Sequence, residues 1–328
     1  MELDLDSISN DDVIVSSVRI GISEMEWYRR WILERKMASM AYMSNPDGIL
    51  KREDPSLLME GAKTLIMFLL NYKTKMDRRE GYGRIAKYAA FPDYHKFFPE
   101  LITSIILENG LYREKFKVFV DTSPVLERYW AEKSGLGWIG KNSMLVNEKI
   151  GSFTLLGGVT TDISLGTQRF PPADLCGKCT RCIESCPTGA IDENRSINSN
   201  LCIAYHTIEN KGIIPKSMAL TMGDMIFGCD ICNDVCPWNS NKRDSSLEMV
   251  NDHKFLNVNT LEELVYLDSE KFKRDYGGSA ITRVSFLGLA RNALIALYNR
   301  DKDDSTIKSA AKDFRDLRAE QLAVLSGK

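Results

Sequence analysis

All eight cysteines of the chain fall between Cys176 and Cys236, and both of their dense runs end in Cys-Pro. The first run is Cys176, Cys179, Cys182 and Cys186, with gaps of two, two and three residues, and then Pro187. The second ends Cys229, Cys232, Cys236, Pro237, and its fourth member stands upstream at Cys202, across 26 residues. Two-residue gaps let three thiolates on one tight loop cap three irons, while the cysteine before proline reaches the neighbouring cluster. Eight thiolates in this pattern match two four-iron, four-sulfur clusters. That wiring puts Cys176, Cys179, Cys182 and Cys236 on one cluster, and Cys202, Cys229, Cys232 and Cys186 on the other.

Zinc also uses Cys-x2-Cys pairs, but it gives no reason for two Cys-x3-Cys-Pro endings or for a total of eight. Disulfides suit small secreted scaffolds. This chain has 328 residues, and its first twelve carry five acidic and no basic side chains, unlike a signal or transit peptide. Thiolate ligands fit a reducing cytoplasm. The longest strongly apolar run, residues 65–70, is about a third of a membrane span, so no membrane partner is expected.

The cysteines occupy the middle of the chain. Before them, residues 25–43 read as a helix with Met25, Tyr28 and Ile32 on one face. Residues 65–70, 116–120 and 153–160 read as buried strands, with a helix around 97–107. This alternation predicts an α/β domain over residues 1–167. A ferredoxin-like two-cluster domain follows over 168–245. After it comes a small α-helical domain over 246–328, with stripes Leu287, Ala290, Leu294, Leu297 and Ile307, Ala311, Phe314, Leu317. The expected fold is thus a multidomain chain of α/β and α+β character. Residues 271–300 carry Lys271, Lys273, Arg274, Arg283, Arg291 and Arg300 against Asp275 alone. This is either a phosphate-binding surface or a solvated helix face.

Several blocks resemble epoxyqueuosine reductases. They are Val120-Asp121-Thr122-Ser123-Pro124-Val125-Leu126-Glu127-Arg128, the glycine-rich Gly135-Leu136-Gly137-Trp138-Ile139-Gly140-Lys141-Asn142-Ser143, and Tyr88-Ala89 followed by Asp93-Tyr94-His95-Lys96. Met40-Ala41-Tyr42-Met43 with Arg52 and Pro55, the second cysteine segment through Trp238-Asn239, and Gly288-Leu289 with Arg291-Asn292 agree in order. The chain departs from the pattern at Ala90-Phe91-Pro92, and at Ala204 and His206 after Cys202.

The resemblance implies an N-terminal domain that binds base-off cobalamin beside the two [4Fe-4S] clusters. It implies reduction of epoxyqueuosine to queuosine at the wobble position of a tRNA with a GUN anticodon, in the cytoplasm. The expected state is a monomer supplied with electrons by flavodoxin, ferredoxin or their reductase. Asp121, after the 116–120 strand, is the expected proton donor. Tyr88, His95, Asp121, Thr122, Ser123, Lys141, Asn142 and Ser143, with Tyr205 and Thr207 after Cys202, are the expected corrin contacts. Gly135, Gly137 and Gly140 are read as letting the backbone approach the corrin, with a plain turn as the equal alternative. Arg283 and Arg291 are the expected tRNA contacts, and Trp238 is expected to shield a cluster. A corrinoid dehalogenase of small molecules and a non-catalytic electron carrier are the competing functions.

Overall fold

The computed structural model describes residues 4–111, 116–166 and 169–327; the expected domain boundary at 167/168 lies outside them. Its centre is a four-stranded antiparallel sheet in the order Val13–Arg19, Thr64–Asn71, Thr154–Thr161, Phe116–Phe119. Leu70 pairs with Val13 on one side and with Leu155 on the other. The Thr64–Asn71 strand is buried along its whole length because successive side chains alternate between two covered faces. Ile66, Phe68 and Leu70 pack with Phe98, Ile102 and Ile106 of the Tyr94–Glu108 helix. Leu65, Met67 and Leu69 pack with Tyr129 and Trp130 of the Glu127–Lys133 helix. Full burial of one such side chain contributes about 2 kcal/mol, so a continuous apolar run is what this position requires.

Two expectations are corrected here. Thr64–Asn71 and Phe116–Phe119 do run parallel, joined through the Tyr94–Glu108 helix, as strand–helix alternation implies. Thr154–Thr161 then inserts antiparallel between them, making the sheet wholly antiparallel and the unit α+β. The helix expected over 25–43 covers only Glu26–Leu33, and a short 3₁₀ turn follows at Ala41–Ser44. Arg35 and Ala38 both have φ near +54°, a conformation that ends a right-handed helix.

In the cysteine region, each Cys-x2-Cys pair leads into one turn of helix, Arg181–Glu184 in the first run and Ile231–Asp234 in the second. The helix Ile203–Ile208 starts directly after Cys202. Ile203, Ile214, Met218, Ile226 and Phe227 share a core with Leu289, Leu294 and Leu297 of the Phe286–Arg300 helix. The insertion after Cys202 therefore packs with the C-terminal helices. The second C-terminal stripe is split between Ser305–Asp313 and Leu317–Ser326, and it buries Ile307 and Ala310, not Ala311. Among the described residues, no helix is long and apolar enough to cross a membrane.

The first strand is tied to the segment behind the second cysteine run through buried Asp12. Its carboxylate accepts hydrogen bonds from the Ser246 N–H at 3.2 Å and the Ser246 hydroxyl, and it pairs with Arg243 at 3.2 Å. Asp12→Ala removes the buried acceptor while water and Asp11 still meet the exposed Ser246 and Arg243 donors, and is expected to cost about 1 kcal/mol, read as a lowered midpoint of thermal unfolding. An unchanged midpoint would show that this tie adds nothing to stability.

Candidate active site and cluster domain

Asp121 lies two residues beyond the edge strand Phe116–Phe119, and its φ of +50° is a left-handed conformation uncommon for a residue with a β-carbon. The strained turn presents the carboxylate to solvent, 53% exposed. One of its oxygens is 3.0 Å from His95 Nε2, and His95 Nδ1 is 2.7 Å from Asp93. Asp93 also caps the Tyr94–Glu108 helix by accepting the His95 N–H. The His95 ring stacks on Tyr94 at 4.0 Å, and Tyr94 meets Tyr88 edge-on. From the other side, Glu127 accepts the Asp121 backbone N–H at 2.7 Å.

The electrostatics are set by two carboxylates flanking one imidazole. Burial works against a charged His95, but its hydrogen bonds to Asp121 and Asp93 outweigh it and push the imidazole up to about 9. Asp93 is lowered: burial opposes its charge, and the His95 contacts overcome it. Glu127 is pushed up to about 8, by burial first and then by the Asp121 charge. Burial also raises Tyr42 and Tyr88, with Glu209, Arg283 and Asp121 among the charges acting on both. Tyr42 and Tyr88 thus lie in the field of the Asp121 site. Arg283 stands over the half-exposed Tyr42 ring at 5.6 Å and pairs with Glu209 at 2.8 Å.

The other expected contacts divide. Thr122 is exposed and Ser123 partly so, beside Asp121. Lys141 instead donates to the carbonyls of Gly177 and Cys179, both at 2.9 Å, within the first cysteine loop. Asn142 is buried and donates to Asn233 Oδ1 at 3.1 Å, between Cys232 and Cys236. The Ser143 hydroxyl donates to the Arg195 carbonyl. The glycine-rich block is therefore packed against protein: a β-carbon on Gly137 would stand 2.3 Å from the Val146 carbonyl oxygen. Tyr205 is bonded to Ser39 at 2.6 Å, and Thr207 is wholly buried. Asn142 and Thr207, buried in these contacts, are corrected from corrin contacts to supports of the second cysteine loop and the insertion, while Lys141, partly exposed, braces the first cysteine loop.

Arg291 is also corrected. It has no solvent exposure and donates to backbone carbonyls, so it cannot meet a phosphate at the surface. Along the basic stretch, Lys271 and Arg274 pair with Asp275, Arg283 with Glu209, and Arg300 with Glu262 and Asp304. Among the described residues, Lys273 is the one member of the six that is exposed and without an ion pair. Asp93, Glu127 and Arg128 are further neighbours of the site, within the blocks around His95 and Asp121 but without a chemical signal of their own in sequence. Arg128 bonds the Ser143 carbonyl at 2.6 Å and so ties the Asp121 block to the glycine-rich one.

The eight thiols are free of disulfides and none is fully buried. Several are acted on by their neighbours among the eight. Cys182 and Cys236 are raised by burial first, then Cys236 by Cys176, Cys182 and Cys179, and Cys182 by Cys176 and Cys179. Cys202 is raised by burial and by Cys186, and Cys229 is pushed up to about 11 by burial, Cys202, Asp230 and Cys186. Cys232 is raised by burial, then by Cys229, Cys202, Asp230 and, from the first run, Cys182. The first-run thiols thus act on Cys236, Cys186 acts on Cys202 and Cys229, and Cys182 reaches Cys232. Eight soft sulfur donors in one region have the chemistry that two four-iron clusters need.

His95 and Glu127 both have folded-state pKa values above their ordinary ones. His95 stabilises the fold fully below about 6.5, and that contribution is lost as pH rises toward about 9. Glu127 acts in the same direction between about 4.5 and 8. Wild-type stability is expected to decline from pH 6.5 to 9, and His95→Gln should flatten that decline in urea titrations. Direct NMR titration of His95 should give a value near 9 that drops in Asp121→Asn; a value near 6.5 in the wild type would refute the pairing.

Comparison with known proteins agrees with both regions. Residues 52–122 match the family model described as "Epoxyqueuosine reductase QueG, DUF1730", and residues 175–239 match "4Fe-4S double cluster binding domain". An epoxyqueuosine reductase of Cellulophaga algicola is 39% identical over 80% of this chain and 86% of its own length. That of Escherichia coli is 36% identical over 84% of this chain and 74% of its own. A crystal structure of epoxyqueuosine reductase with an epoxyqueuosine-modified stem loop of tRNA-Tyr superposes with a TM-score of 0.85. It is 27% identical and covers 98% of this chain and 87% of that one. A Bacillus subtilis epoxyqueuosine reductase, solved with its catalytic loop swung out of the active site, superposes at 0.84 with 27% identity, covering 97% of this chain and 86% of that one. A chain with this identity over this length, carrying a double four-iron cluster domain, belongs to the epoxyqueuosine reductase family of oxidoreductases.

Proposed function

We propose that this enzyme reduces epoxyqueuosine to queuosine at the wobble position of tRNA, using cobalamin supplied with electrons by its two four-iron clusters. The observation that carries the reading is the hydrogen-bonded row Asp93–His95–Asp121, held on a strained turn and open to solvent. The relative solved with a modified tRNA stem loop supports tRNA as the substrate carrier.

The residues around Asp121 fit a corrin. A large ring with amide side chains needs apolar cover and polar partners. The half-exposed Tyr42 ring supplies the first, and the exposed Asp121 and Thr122 with Ser123 supply the second. Tyr88 and His95 complete the set of residues that would hold it. When bound, cobalamin supplies a low-potential cobalt centre able to attack an epoxide carbon.

Converting the epoxide to an alkene takes two electrons and two protons, and the oxygen leaves as water. Four-iron clusters pass electrons singly at low potential, from an electron-carrier protein such as flavodoxin or ferredoxin. Asp121 donates the proton to the epoxide oxygen as its carbon–oxygen bond breaks. His95, charged at neutral pH and oriented by Asp93, holds within 3.0 Å of the Asp121 carboxylate the proton that Asp121 hands on. Cys176, Cys179, Cys182 and Cys236 hold one cluster, and Cys202, Cys229, Cys232 and Cys186 hold the other. The wobble base reaches the site splayed out of the loop, the usual mode for single-stranded RNA.

Asp121→Asn is expected to abolish turnover while the cluster and corrinoid absorption spectra stay intact; near-normal turnover would remove Asp121 from the chemistry. Charge reversal in Arg283→Glu is expected to weaken binding of the modified stem loop several-fold and to lower the slope of its salt dependence by about one. Equal affinity at all salt concentrations would move the RNA surface elsewhere.

A further inference from the structure

Arg291 and Asn292 stand side by side in the Phe286–Arg300 helix, and both are fully buried. Burial pulls the guanidinium down to about 10, which leaves it charged at neutral pH. A charge taken out of water costs several kcal/mol unless its donors are met. No carboxylate answers this one among the described residues. Arg291 instead donates to the carbonyls of His206 and Asn210, both at 2.9 Å, and of Gly212, and to Asn292 Oδ1. The Asn292 amide then donates to the carbonyls of Thr207 at 2.9 Å and Ile226 at 2.8 Å.

These carbonyls belong to two segments that bear cluster cysteines. His206 and Thr207 lie on the helix that begins after Cys202, and the His206 N–H closes back on the Cys202 carbonyl at 3.2 Å. Ile226 is in the Met225–Phe227 strand, which leads through Gly228 into Cys229. The Thr207 hydroxyl accepts the Gly228 N–H at 2.9 Å and closes the circuit. In the first run, one short loop fixes the spacing of three ligands. In the second, 26 residues separate Cys202 from Cys229, and closing a loop of that length costs entropy that local chain geometry does not offset.

We propose that Arg291 and Asn292 are positioning residues for the second four-iron cluster, fixing Cys202 against Cys229 across the insertion that separates them. The planar guanidinium spans three carbonyls, which a lysine ammonium on a flexible stem does not reproduce. The inference rests on the double-cluster assignment of the cysteines, and makes the C-terminal helix part of the cluster's mounting.

The test is iron content of anaerobically purified protein, with electron paramagnetic resonance of the reduced form and far-ultraviolet circular dichroism. Wild type should hold about eight irons. Arg291→Met and Asn292→Leu should fold yet hold about four, with one cluster signal kept and its coupling to the second lost. Thr207→Val, which removes the Gly228 tie along with the hydroxyl's bonds to the Ile203 and Ala204 carbonyls of its own helix, should release iron from the second cluster to a chelator several-fold faster. About eight irons in folded Arg291→Met and Asn292→Leu, or equal loss of both clusters, overturns the proposal. Should neither variant fold, an unchanged chelator rate in Thr207→Val overturns it. Wild type well short of eight irons would instead overturn the double-cluster assignment.

Discussion

The pairing of Thr64–Asn71 with Thr154–Thr161 is the interaction on which the Asp121 site depends. Because this strand is buried on both faces, each face needs its own covering helix, and the two helices end up on opposite sides of one sheet. Both begin beside the end of the Phe116–Phe119 edge strand. One brings Asp93 and His95 to Asp121, and the other brings Glu127 to the Asp121 backbone. The site is assembled where a short edge strand runs out, so its carboxylate can be exposed while its supports are held by the core.

The glycine-rich block serves a different end. Lys141 and Asn142 are neighbours in sequence, yet one holds the first cysteine loop through its carbonyls and the other holds the second through Asn233. Asn233 also accepts from Ser152, and Asn239 bonds both. A buried amide network of this kind is stabilising only when every member is satisfied. It joins the sheet unit to the cluster unit without any charged pair at its centre.

Much of this was legible in sequence where the signal is local. The cysteine spacing carries its own geometry, and the apolar runs at 65–70 and 153–160 sit within a residue of the strands they predict. What failed depended on partners far along the chain. Arg283 and Arg291 look alike in a basic stretch, yet the first is half exposed and the second meets carbonyls some eighty residues upstream. Asn142 and Thr207 are polar residues beside family blocks, and nothing local separates a cofactor contact from a buried tie. The helix expected over 25–43 stops where Arg35 and Ala38 turn left-handed and the Arg35 and Lys36 carbonyls accept from Asn200 and Ser199, partners more than 160 residues away. Glu127 and Arg128 stood in plain view beside Asp121, but their roles require knowing that the helix they open folds back on the turn.

The carbonyl clamp at Arg291 has a consequence for how the protein matures. A ribosome delivers Cys202 and Cys229 well before the helix that contains Arg291 and Asn292. Until that helix has emerged and docked, the insertion between the two cysteines lacks the Arg291 and Asn292 ties, whereas the first cysteine loop awaits only Cys236. The proposed clamp thus makes the site of the second cluster depend on a helix that is synthesised some sixty residues after its last cysteine.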